Sequence, residues 1–79
     1  MWYYMTKYSF DASKPVVGPF KTEREAWDDM EKVAINEYES DLENCFDSEL
    51  YMDREAGEIL IMNYHGTHQY STEFFTFEI

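Results

Sequence analysis

Two histidines spaced as His65-x-x-His68, one cysteine at Cys45 and seventeen carboxylates are the side chains of this sequence best suited to chemistry. The two imidazoles flank Gly66, and with an acid such as Glu73 they offer the nitrogen and oxygen donors that metals take. Zinc sites usually recruit three or four strong ligands, and two histidines in a turn supply too few. The pair therefore reads as solvated polar residues at a loop tip, and no metal is expected. Cys45 has acids for charged neighbours, which raise a thiol's pKa and blunt its nucleophilicity, so an inert thiol at a helix end is expected. With so many carboxylates, the presence of an acid/base pair carries no information. Glycosidase-like chemistry needs two of them in opposed environments across a cleft, and a chain this short has little to build one from. A Gly-rich phosphate loop, a Ser-His-Asp spacing and a nucleotide fingerprint are all missing. The sequence predicts a protein that is not an enzyme and has no cofactor.

Charge is more informative than any motif. Six Lys and Arg against seventeen Asp and Glu give a formal net charge of −11. Nucleic acids and anionic membrane surfaces both bind through cationic side chains, so neither is expected as a direct partner. The stretch from Glu23 to Glu49 holds eleven acids and two bases, and the rest of the chain six acids and four bases. Glu37, Glu39, Asp41 and Glu43 crowd what reads as the C-terminal half of a helix. The helix dipole prefers cations there, and each misplaced acid costs about 0.3–1 kcal/mol at low salt. A local rule broken without evident gain directs attention to function. The expected interface is therefore an acidic helix face carrying Asp28, Asp29, Glu31, Glu37, Glu39, Asp41 and Glu43. A helix of about 22 residues is about 33 Å long, and carboxylates along it imitate a stretch of phosphate backbone. The expected partner is a basic protein, concretely a nucleic-acid-binding enzyme held in an inhibited state. The plainer alternative is a solvated face that serves solubility.

These side chains have to be positioned by one small domain. Seventy-nine residues leave no room for a second domain, and chains of this size bury roughly 60% of their unfolded surface. A hydrophobic fraction of 44% excludes a disordered chain, and 19% aromatic residues exceed the needs of a one-helix core. From Trp2 to Phe10 the pattern alternates, with Trp2, Tyr4, Thr6, Tyr8 and Phe10 on one face of a strand. Residues 11 to 15 read as a loop, and Val16-Val17 as a short extended segment broken by Gly18-Pro19. Thr22-Glu23-Arg24-Glu25 is a capping box, with Glu25 reaching back to the backbone N–H of Thr22. A helical stripe of Ala26, Trp27, Met30, Val33, Ala34, Tyr38 and Leu42 follows, predicting a helix from Glu23 to about Asn44, with Asn44 as a left-handed stop. Strands are expected over Glu49–Met52, Glu58–Tyr64 and Tyr70–Ile79, joined by turns at Asp53–Gly57 and His65–Gln69.

The expected fold is α+β: one helix on one face of a three- to four-stranded antiparallel sheet, in the order β-α-β-β-β. One helix leaves the other sheet face uncovered. Tyr3 and Met5, opposing Trp2 and Tyr4, make that face apolar, as do Leu60 and Met62 opposing Ile59 and Ile61. A homodimer joined through this aromatic sheet face is thus the alternative to the acidic helix. The opening Met-Trp-Tyr-Tyr-Met lacks the pattern of a signal peptide, and no apolar run approaches the ~20 residues of a membrane span. A cytoplasmic location is expected.

The stretch Val17-Gly18-Pro19-Phe20-Lys21-Thr22 followed by Ala26-Trp27 resembles the strand-to-helix entry of peptidoglycan-binding SPOR domains. It covers about ten residues, turn and cap chemistry account for it, and no binding residues carry over. In size, charge and composition the chain resembles small acidic proteins of Gram-positive bacteria and of their phages and mobile elements. Anti-CRISPR inhibitors belong to that group, some of them DNA mimics, and the resemblance implies inhibition of a nucleic-acid-binding protein.

Overall fold

The alternating pattern at the start of the chain forms strand β1 (Trp2–Tyr8), antiparallel to β2 (Val17–Phe20). A helix α1 (Glu23–Glu43) follows, then β3 (Asp47–Asp53), β4 (Glu58–His65) and β5 (His68–Glu78). The computed structural model describes residues 1–9, 14–44 and 47–79. The expectations for Phe10, for positions 11–13 of the first loop and for Cys45 therefore lie outside the described residues. The strands form one antiparallel sheet in the order β2-β1-β5-β4-β3, so the first and last long strands lie side by side.

The α+β class and the single helix on an antiparallel sheet agree with expectation, while the strand count does not. There are five described strands in the order β-β-α-β-β-β, because Gly18-Pro19 continues the extended backbone that it was expected to break. Proline lacks a ladder donor and is tolerated on an edge strand, which is where β2 lies. Gly18 sits at φ +144°, and a Cβ there would come within 2.7 Å of the Tyr3 ring and 2.9 Å of the Trp2 carbonyl oxygen. Glycine is what lets β2 lie so close to β1.

The helix begins as its cap predicts, with Thr22 Oγ accepting from the Glu25 backbone N–H at 3.2 Å. The Glu25 carboxylate reaches one residue further back than expected, accepting from the Lys21 N–H at 3.3 Å. At the other end Asn44 has φ −87°, so the expected left-handed stop is corrected. Its side-chain amide instead donates to the Ser40 carbonyl at 2.8 Å.

Under the helix lies a core of Tyr4, Trp27, Met30, Ala34, Ile59, Ile61 and Phe74, with Phe20, Tyr38 and Leu50 packed against it. Full burial of side chains such as Phe74, Met30, Ile59 and Ile61 contributes roughly 1.5–3 kcal/mol each. Val33 and Leu42, expected on the inward stripe, are 37% and 47% exposed. At about 100° per residue they flank the line through Trp27, Met30 and Ala34, while Asp41 falls within about 20° of Ala34 on that line. Apolar character misled at Val33 and Leu42, because helix geometry and not hydropathy decides which residue meets the sheet.

The turn into β4 is built as its residues suggest. Asp53 Oδ1 accepts from the Ala56 N–H at 3.1 Å, and Gly57 takes φ +70°. A Cβ on Gly57 would collide with the Thr76 side chain on β5, so this position needs glycine for space as well as for conformation.

Candidate functional site

Residues on consecutive strand positions point to opposite faces, and paired residues on neighbouring strands share a face. The register therefore sorts the sheet. The helix-covered face takes Tyr4, Thr6 and Tyr8 of β1, Thr72 and Phe74 of β5, Ile59, Ile61 and Asn63 of β4, and Ser48 and Leu50 of β3. The open face takes Tyr3, Met5 and Lys7, then Ser71, Glu73, Phe75 and Phe77, then Glu58, Leu60, Met62 and Tyr64. Asp47, Glu49, Tyr51 and Asp53 of β3 complete it.

Of the seven acids expected to form the binding face, α1 presents three to solvent: Asp28, Glu39 and Glu43. The other four are half-buried, and three of them accept side-chain hydrogen bonds. Asp29 Oδ2 accepts from the Tyr4 hydroxyl at 2.6 Å, which joins helix to β1. Glu31 Oε2 accepts from Trp27 Nε1 at 3.0 Å, one turn away on the same helix. Glu37 Oε1 accepts from the Tyr8 hydroxyl at 3.1 Å. Glu37 Oε2 and Asp41 Oδ2 are buried and have no hydrogen-bond partner among the described residues. Several acids taken from sequence as a solvent-facing row thus belong to the seam between helix and sheet.

The opposite end of the helix is fastened differently. Arg54, in the β3–β4 turn, pairs with Glu23 and lies 5.0 Å from the centre of the Trp27 ring. This is the single ion pair among the described residues, and it is exposed enough to contribute no more than about 1 kcal/mol.

On the open face, Tyr3 stacks on Phe77 with ring centres 5.7 Å apart, and Phe75 lies 6.1 Å from Phe77. Met5 pairs with Phe75 and completes an apolar corner. Towards β4 and β3 the face becomes acidic, with Glu58, Glu73, Glu49, Asp47 and Asp53, and Lys7 on β1 is its one base among the described residues. The Tyr51 hydroxyl donates to Glu49, and that bond is the main cause of its raised pKa. A depression of about 170 Å³ lies on this face, lined by Glu58, Ile59, Leu60, Glu73 and Phe75.

His65 and His68 face each other across the last pair of the β4–β5 ladder, flanking the Gly66-Thr67 turn. The His68 ring lies 6.4 Å from Tyr70. Among the described residues, no three His, Cys, Asp or Glu side chains are grouped to hold a metal ion. No described helix is long and apolar enough to cross a membrane.

No family model, curated protein or solved structure matches this chain. The candidate surface thus rests on geometry. The Glu58–Glu73–Phe75 depression was not singled out in the sequence, although the alternation placing Glu73, Phe75 and Phe77 together was visible there. What joins Glu58 and Leu60 to them is the β4–β5 register, and that pairing is a tertiary property.

Proposed function

We propose that this protein is a non-catalytic acidic module that binds a basic protein, concretely an inhibitor of a nucleic-acid-binding enzyme. The observation that carries the reading is uncompensated charge. Seventeen acids face six bases, and among the described residues only Glu23 and Arg54 pair. A field of that sign speeds the approach of a cationic surface and biases the choice of partner. The exposed helix acids Asp28, Glu39 and Glu43 contribute to that field along the outer face of α1. The test is an association-rate measurement on a partner captured from host lysate. The triple variant Asp28→Lys, Glu39→Lys and Glu43→Lys should slow association at least tenfold, and 0.5 M salt should slow the parent protein similarly. Unchanged rates in both cases would sink the reading.

A homodimer joined through the open sheet face is the second reading, favoured by the uncovered Tyr3, Met5, Phe75 and Phe77 corner. The same face carries five carboxylates and one amine, so two copies brought together there repel. A monomeric mass at micromolar concentration would exclude it.

A further inference from the structure

On the proposal that the partner is basic, we infer that the open sheet face holds a subsite for an arginine side chain of that partner, formed by Glu58, Leu60, Glu73 and Phe75. In the β4–β5 ladder Glu58 pairs with Phe75 and Leu60 with Glu73, so the four side chains form a square on one face. The carboxylates occupy one diagonal, and the ring and the leucine occupy the other. Diagonal neighbours in such a ladder lie about 7–8 Å apart, with their Cβ atoms somewhat closer, and long side chains reach across that gap. The open depression they line has a volume of about 170 Å³. A cavity of about 150 Å³ takes a benzene-sized group, so a guanidinium with its adjoining methylenes fits in size.

The chemistry selects arginine among the cations. Guanidinium is planar, weakly hydrated, stacks on aromatic faces and forks onto carboxylates, whereas ammonium is a compact and strongly hydrated point charge. Glu58 and Glu73 are both exposed, and neither has a hydrogen-bond or ion-pair partner among the described residues. Two carboxylates without a third ligand are a poor metal site. A second copy of this chain is a poor occupant, because the face is acidic, Arg54 is engaged by Glu23, and the only other arginine is Arg24. Beside the subsite, the Tyr3, Met5, Phe75 and Phe77 corner offers an apolar landing for the residues next to that arginine. The occupant is therefore a segment of a basic protein in which arginine adjoins apolar side chains.

The experiment is an NMR titration of the ¹⁵N-labelled protein at low salt. The probe is a blocked five-residue peptide alternating arginine with leucine, beside the same peptide with lysine for arginine. The arginine peptide should shift the amides of residues 58–60 and 73–75 and bind more tightly than the lysine peptide. The double variant Glu58→Gln and Glu73→Gln should weaken it about tenfold, with its own amide spectrum showing an intact fold. Neutralising Asp28, Glu39 and Glu43 should weaken this binding less than the double variant does and leave the preference for arginine over lysine intact. Shifts confined to α1, or equal affinity for the two peptides, would overturn the arginine subsite while leaving the basic-partner proposal standing. Absence of binding by either peptide would likewise overturn the subsite, whereas the basic-partner proposal stands or falls on the association rates.

Discussion

At the scale of single residues, Tyr4 shows how an acidic surface is built into the interior. Its side chain is 3% exposed, and its hydroxyl donates to Asp29 at 2.6 Å. Burial, that hydrogen bond and the Asp29 charge all push its ionisation well above the ordinary tyrosine range. An unfolded tyrosine ionises near pH 10, so below about pH 10 both states keep the proton and this contribution is constant. Above it the unfolded chain releases a proton that the folded chain retains, and stability falls as pH rises. Tyr51, raised chiefly by its bond to Glu49, and Lys14, raised chiefly by its bond to Tyr8, act in the same direction. Urea unfolding across a pH series should therefore show falling stability above about pH 10, with a shallower fall in Tyr4→Phe. That variant should also lose about 1.5 kcal/mol at neutral pH, since the lost hydrogen bond has a charged acceptor. The expectation that Asp29 serves a partner was drawn from its type and neighbours. The structure shows the carboxylate engaged by a residue 25 positions earlier, a contact no local pattern signals.

At the scale of the element, α1 is well capped and poorly finished. Thr22 and the acids Glu23 and Glu25 suit its N-terminus, while its last turn contains no base. Asp41 lies on the inward line of the helix with one carboxylate oxygen buried and unpartnered among the described residues. Burying an unpaired polar atom is costly, and this acid also opposes the dipole. Asp41→Leu should raise stability by about 1 kcal/mol, read as a higher urea midpoint at unchanged slope. A lower midpoint would mean that the carboxylate has a partner that stabilises it. The helix itself was legible because a capping box and a 3.6-residue repeat are local signals. Its inward face was only partly legible. Hydropathy marked Val33 and Leu42, whereas the angular line through Ala34 leads to Asp41.

At the scale of the whole molecule, a net charge of −11 is carried with one described ion pair. Self-repulsion of that kind destabilises the compact state and is relieved when ions screen it. Raising sodium chloride from about 10 mM to about 0.5 M shortens the screening length severalfold. The midpoint of thermal unfolding should rise by several degrees, since about 1 kcal/mol corresponds to about 4–8 °C in a domain this size. A flat response would show that the carboxylates are already compensated in the fold.

The class of fold, the helix and its start, the turns at Asp53–Gly57 and around Gly66, and the alternation in β1, β4 and β5 were legible in the amino-acid order alone. All of these follow from interactions between residues a few positions apart. The tertiary structure alone decided that Gly18-Pro19 belongs to an edge strand, because an edge needs a neighbour to define it. It alone drew Asp29 and Glu37 onto Tyr4 and Tyr8 of the sheet, and it left Glu31 and Asp41 half-buried as well. It also set Glu58 and Leu60 beside Glu73 and Phe75. Strand register depends on every pair in the ladder at once, and a slip of one residue would have turned each of those side chains to the opposite face.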